Sequence, residues 1–94
     1  MRGESVIEAR LRAGVKAMGG ICWKFVSPGT TGVPDRLIIL PGGKIIFVEL
    51  KSDTGRTSDI QKHRIAELRN IGADVRILTG LSQVKDFLEE VMTK

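Results

Sequence analysis

The chain has 94 residues and a mass of 10.3 kDa, with 15 Lys and Arg against 11 Asp and Glu, a net charge of +4 and a pI near 9.6. That length holds one hydrophobic core, so residues 1–94 are read as a single domain. No apolar run approaches the roughly 20 residues of a membrane helix, the charged start MRGESVIEAR is unlike a signal peptide, and a lone Cys22 with a lone His63 supplies neither an internal disulfide nor a zinc site. The positive balance permits a nucleic-acid partner without establishing one.

Residues 4–18 are predicted to be helical, because Ile7, Leu11, Val15 and Met18 fall on one stripe and Gly19-Gly20 ends the pattern. Ile21–Val26 is a short strand candidate. Ser27–Pro34, SPGTTGVP, has no periodicity and reads as a loop. Asp35–Leu40 and Lys44–Lys51 are strands rich in Ile, Leu and Val, joined by the hairpin signal Pro41-Gly42-Gly43. A second helix runs from Ser58 to about Asn70 with Ile60, Ile65, Leu68 and Ile71 as apolar positions, and Gly72 stops it. Val75–Thr79 is a fourth strand, and Ser82 opens a last helix whose apolar face carries Val84, Phe87, Leu88 and Val91. The order is α-β-β-β-α-β-α. Its strand–helix–strand unit predicts a parallel pair with a right-handed crossover. The second and third strands are apolar on both faces, so an α/β fold is expected, with a mixed central sheet flanked by helices on both sides.

Three features break the apolar pattern. The strand KIIFVELK ends in Glu49-Leu50-Lys51, and strand alternation puts Glu49 and Lys51 on the face of Ile45 and Phe47. A carboxylate there is costly unless something positive pairs with it; taken alone, the motif is also what a half-solvated Glu–Lys pair at a strand end looks like. Second, a tight turn at residues 41–43 pairs positions whose numbers sum to about 85, which sets Asp35 opposite Leu50 and beside Glu49. Two such carboxylates repel unless a cation joins them, and Mg²⁺ favours one or two carboxylates plus water and phosphate oxygens. Asp35 alone also fits a turn residue bonded to its own backbone. Third, Glu8 and Glu4 border the apolar stripe of the first helix instead of facing away from it. Glu4 suits the first turn of a helix, whereas Glu8 lies deeper, with Arg12 four residues on as an available ion-pair partner.

These residues resemble the PD-(D/E)xK nuclease superfamily: Pro34-Asp35, a hairpin, then Glu49-Leu50-Lys51. GVPDRLIILPGG, FVELK and Ser58-x-x-Gln61 are similar to one branch, the VRR-NUC (virus-type replication-repair nuclease) family, particularly its small stand-alone phage and bacterial members. Spacing of D…ExK alone is a weak motif, but PDR, PGG, ELK and S-x-x-Q in order between residues 34 and 61 are more specific. The resemblance implies a restriction-endonuclease-like fold. It implies Asp35 and Glu49 as carboxylate ligands of Mg²⁺ or Mn²⁺, with the Leu50 carbonyl as a further ligand. Lys51 would orient or activate the attacking water. Glu8 would be the first-helix glutamate of the site, with Glu4 the alternative if the helix register shifts. Gln61 would face the site from the helix after ExK, although Ser58-x-x-Gln61 is equally a capping box.

Lys24, Arg36, Arg56, Lys62 and Arg64 flank this constellation and are candidates for phosphate contacts, though each is also an ordinary solubilising charge. His63, between Lys62 and Arg64, fits a solvated helix face. No helix-turn-helix, zinc finger or aromatic stacking platform is present, which favours recognition of DNA shape over base readout. The expectation is a metal-dependent, structure-selective DNA endonuclease, cytoplasmic, resolving four-way junctions as a homodimer, as the resemblance to junction resolvases implies. A flap or nicking nuclease with the same site, or a non-cutting DNA-binding module of the same fold, are the alternatives.

Overall fold

The computed structural model describes residues 2–92, with side chains described from Val6 onward. The elements are α1 (Arg2–Ala17), β1 (Ile21–Lys24), β2 (Arg36–Leu40), β3 (Lys44–Lys51), α2 (Asp59–Asn70), β4 (Asp74–Thr79) and α3 (Gly80–Met92). The predicted order α-β-β-β-α-β-α is the observed one. The four strands form one mixed sheet in the order β1-β2-β3-β4. β1/β2 and β2/β3 are antiparallel, and β3/β4, linked through α2, are parallel.

Helix ends follow local chemistry. After α1, Gly20 N–H donates to Val15 O at 3.0 Å and Gly19 N–H to Lys16 O at 2.9 Å, with Gly19 at φ +86°. This is the Schellman arrangement, which needs a left-handed residue just past the helix. α3 starts at Gly80, two residues ahead of the predicted Ser82. β4 runs straight into it because Gln83 reaches back to accept a bond from Thr79 N–H at 2.8 Å, and Gly80 takes φ +79°. β1 stops at Lys24 instead of Val26. The ladder continues for one more bond, Phe25 N–H to Asp35 O at 2.9 Å, before Pro28 and the turn closed by Thr30 N–H on Ser27 O lead the chain away.

The hairpin register departs from expectation by one residue. Arg36 pairs with Val48 and Leu40 with Lys44, so partners sum to 84 and Asp35 continues the register towards Glu49, not Leu50. Three residues between Leu40 and Lys44 require an even sum. The turn that closes there, Gly43 N–H to Leu40 O at 2.9 Å, has Pro41 followed by Gly42 at φ +96°, the conformation a type II turn demands.

Strand alternation divides the sheet into two unlike faces. One is closed by α1 and α3: Ile7, Leu11, Val15, Ile38, Ile46, Val48, Leu50, Leu78, Val84, Phe87 and Leu88 form the main core. The helices approach closely because Gly14 has no side chain; a Cβ there would lie 2.5 Å from a Leu88 methyl. On the other face α2 packs against β4, burying Ile65 and Val75. Helices thus flank both faces, and on the second α2 lies mainly over β4, with Gln61 of its first turn reaching β3. Among the described residues no helix is long and apolar enough to cross a membrane.

At the β4 edge, Arg76 binds Asp74 at 2.6 Å and Glu90 at 2.9 Å, and lies 5.5 Å from the centre of the Phe87 ring, while Lys44 lies 3.2 Å from Asp74. This network ties the hairpin, β4 and α3 together. The Arg76 bond, helped by Lys44, holds the Asp74 carboxyl below its ordinary value. A depressed carboxyl contributes stability that is complete above its unfolded pKa of about 4 and drains as pH falls through the folded value. Asp74→Asn should therefore cost about 1 kcal/mol at pH 7, and its melting temperature should converge on that of the parent as the pH is taken below 3.

Candidate active site

Glu49 is 2% exposed, on β3 between β2 and β4, and cannot turn to solvent. Its Oε2 accepts from Gln61 Nε2 at 2.7 Å and lies 3.1 Å from Lys51 Nζ. Lys51 is there because two residues along a strand return to the same face. Gln61 is there because Ser58 caps α2. Ser58 Oγ accepts from Gln61 N–H at 3.2 Å, and Gln61 Oε1 accepts from Ser58 N–H at 3.0 Å and from Lys51 Nζ at 3.0 Å. The capping box and the contact with the carboxylate are therefore made by one side chain. Gln61, Lys51 and Glu49 form a closed triangle.

The other oxygen, Glu49 Oε1, is buried without a hydrogen-bond partner. Such an atom loses its hydration with nothing in exchange. Asp35 continues the β2–β3 register towards Glu49, held just ahead of β2 by the buried Pro34, with both carboxylate oxygens 3.4 Å from Leu50 N. An orphaned carboxylate oxygen, a second carboxylate and the adjoining Leu50 backbone are hard oxygen donors of the kind Mg²⁺ and Mn²⁺ take, so the donor set fits a divalent cation. Asp35, Glu49 and the Leu50 carbonyl are the residues that would hold it.

Among the described residues no group of three or more His, Cys, Asp and Glu gathers as a metal cluster. Glu8 pairs with the guanidinium of Arg36, not with Arg12, four residues on. Arg36 follows Asp35 in the chain, so alternation turns it to the opposite, α1-covered face, where it is 7% exposed and burial lowers its pKa. The Glu4 side chain lies outside the described residues.

The other basic candidates divide by their partners. Lys24, Arg56 and Lys62 are exposed. Arg64 is committed to Thr31 O at 2.9 Å and Glu67 at 2.8 Å, and its bond holds the Glu67 carboxyl below its usual value. His63 is solvent-exposed, 3.8 Å from Glu67. Cys22, behind Asp35 on the core side, has its thiol pushed up to about 11, chiefly by burial, against a lowering by Arg12 and with a small push from Asp35. Sequence reasoning missed the Glu8–Arg36 pair. The signal was available: an arginine at a core-facing position of an apolar strand needs a buried partner.

The fold and the Asp…Glu-x-Lys geometry define an α/β nuclease-type domain. Residues 5–81 match the VRR-NUC domain. The chain is 48% identical over 75 residues to "Putative nuclease p44" of Acyrthosiphon pisum secondary endosymbiont phage 1, covering 80% of this chain and 81% of that protein. A solved structure of a VRR_NUC domain is similar with a TM-score of 0.87 at 31% identity, covering 93% of this chain and 95% of the other. The chain belongs to the VRR-NUC family of nuclease domains.

Two substitutions separate structure from chemistry. Glu8→Ala strands a buried guanidinium and should cost roughly 1–3 kcal/mol in chemical denaturation; Glu8→Gln, which can still accept one bond, should cost less. Gln61→Ala removes a cap and a carboxylate partner together and should lose about 1–2 kcal/mol. A Glu8→Ala protein as stable as the parent would show that the ion pair holds nothing.

Proposed function

We propose that this protein is a divalent-metal-dependent endonuclease that hydrolyses phosphodiester bonds in branched DNA, foremost four-way junctions, and that it works as a homodimer. The observation that carries the reading is the buried, partnerless Glu49 Oε1 beside Asp35, in a chain of a nuclease family. Hydrolysis of a phosphodiester needs a positioned water, a neutralised phosphate and a stabilised leaving oxygen. Asp35, Glu49 and the Leu50 carbonyl would hold Mg²⁺ or Mn²⁺, which would supply Lewis-acid polarisation and a lowered pKa for water.

The chain's own groups do the rest. Two contacts, to Glu49 Oε2 and Gln61 Oε1, fix the Lys51 ammonium and leave it a donor for the attacking water or a phosphate oxygen. A positive charge held in place before the reaction stabilises the charge that grows on the phosphate. Gln61 keeps both Glu49 and Lys51 oriented, so that neither collapses further onto the other. The exposed Arg56 and Lys62 would bind phosphates and track the backbone without reading bases, whereas Lys24, paired with Arg36, turns to the face opposite the site. The named relative's phage origin supports a setting in the cytoplasm of an infected cell.

The test is cleavage of labelled four-way junction, flap and linear duplex in Mg²⁺, Mn²⁺ or EDTA. Junction cutting should require metal and fall at least about a hundredfold in Asp35→Ala and in Lys51→Ala, with junction binding retained. Each of Arg56→Ala and Lys62→Ala should weaken binding and lower the salt slope by about one unit. Binding without cleavage in any metal would leave a DNA-binding module. Flap cutting without paired junction incisions would remove the resolvase assignment while keeping the nuclease.

A further inference from the structure

Asp35 comes at the end of Ser27–Pro34, a segment with no strand or helix of its own. Such segments are the mobile parts of a fold unless something outside them holds them, and two contacts from α2 do so here. Arg64 donates from Nε to the carbonyl oxygen of Thr31 at 2.9 Å. It is 25% exposed, and a second bond, from Nη1 to Glu67 at 2.8 Å, fixes the direction of its guanidinium. One residue on, Gly32 lies against the helix itself. A Cβ there would sit 2.9 Å from the Ile60 carbonyl oxygen and 2.9 Å from Ile60 Cγ1, and Gly32 takes φ +89°. An alanine would be strained in that backbone conformation and would push the segment off the helix.

Ile60 and Arg64 are four residues apart and so share one side of α2. Gln61, about 100° further round the helix than Ile60, meets Glu49 Oε2 at 2.7 Å and Lys51 Nζ at 3.0 Å. The first half of one helix therefore reaches two places at once. One is the strand end that carries Glu49. The other is the segment that delivers Asp35, four residues after Thr31. Arg64, which the sequence offers as a phosphate contact, is engaged there instead.

We propose that Arg64 is a positioning residue: with Gly32 it clamps the Ser27–Pro34 segment to α2, and by way of that segment it sets where the Asp35 carboxylate stands relative to Glu49. It acts through Asp35 and touches neither metal nor DNA. The inference rests on Asp35 being a carboxylate of the active site, as proposed above. It gives α2 a hold on both carboxylates, through Gln61 on Glu49 and through the clamp on Asp35.

The Leu50 amide reports the place of Asp35 without metal or DNA, because both carboxylate oxygens stand 3.4 Å from its nitrogen. In Arg64→Ala and in Gly32→Ala its amide resonance should move, while those of Ile38 and Ile46 in the core stay. Mn²⁺ affinity, read by calorimetry, should fall about tenfold, and the single-turnover rate of junction cutting by at least as much, with junction affinity and its salt slope unchanged. Glutamine carries Nε2 the same number of bonds from the backbone as arginine carries Nε, so Arg64→Gln keeps the donor to Thr31 and discards the charge. It should recover most of what Arg64→Ala loses. A phosphate contact gives the reverse: Arg64→Gln as poor as Arg64→Ala, weaker junction binding, and a salt slope lower by about one unit. That result, or a Leu50 resonance unmoved in both Arg64→Ala and Gly32→Ala, would overturn the proposal. Circular dichroism checks that the variants fold; if Gly32→Ala does not, the two Arg64 variants decide. A parent that neither binds Mn²⁺ nor cuts, with the Leu50 resonance moved in Arg64→Ala and restored in Arg64→Gln, upholds the clamp and removes the metal-dependent nuclease reading instead.

Discussion

A carboxylate carried to the inside of a sheet loses several kcal/mol of hydration unless the protein replaces it, and at Glu49 the replacement is incomplete. One oxygen has a lysine two residues along the same strand and a glutamine from the helix that follows. The other has nothing. Much of the local architecture answers to that half-met demand. Because Gln61 must reach Glu49, the start of α2 cannot drift, and the capping box that locks it is the same set of atoms. The loop from Ser52 to Ser58, the helix cap and the strand end are therefore one unit.

The Glu49–Lys51–Gln61 triangle also limits what each member can do. Lys51 and Glu49 pair directly. The amide of Gln61 engages both as well, donating to the carboxylate and accepting from the ammonium, a task no purely cationic or anionic side chain performs. An alanine at 61 would free both charges to rearrange, and a glutamate would repel one while attracting the other. Asp35, next in register to Glu49, adds a second carboxylate to the same neighbourhood, and two like charges so placed repel unless a cation joins them.

Much of this was legible in the sequence. Element types followed from periodicity and punctuation, and the Schellman ends at Gly19 and Gly72 were marked by glycine. Asp35, Glu49 and Lys51 could be placed together because alternation and a hairpin are strict geometric rules. Less visible was anything set by tertiary contact. The one-residue register difference came from a three-residue turn that a sum of 85 does not allow. Arg12 was the obvious partner for Glu8 on a helical wheel, but a wheel does not show Arg36 arriving from the sheet. Apolar residues on both strand faces predicted helices on both sides, and local pattern could not say that α2 would lie mainly over β4.

The neighbours Asp35 and Arg36 show how the two faces depend on one another. Alternation sends one side chain towards the site and the other into the layer beneath α1. Arg36, buried and bound to Glu8, fixes the backbone at the very residue where β2 begins. Asp35 has no regular strand before it to hold its position; it has Pro34, the bond from Phe25, and an ion pair on the far side of the sheet. A side chain that acts at a site must be held to within about half an ångström to be useful. The Glu8–Arg36 pair thus ties the first helix to the residue that follows Asp35, and loss of activity on changing Glu8 would follow from displacement of Asp35 as directly as from lost chemistry. Stability measured beside activity is what tells those two causes apart.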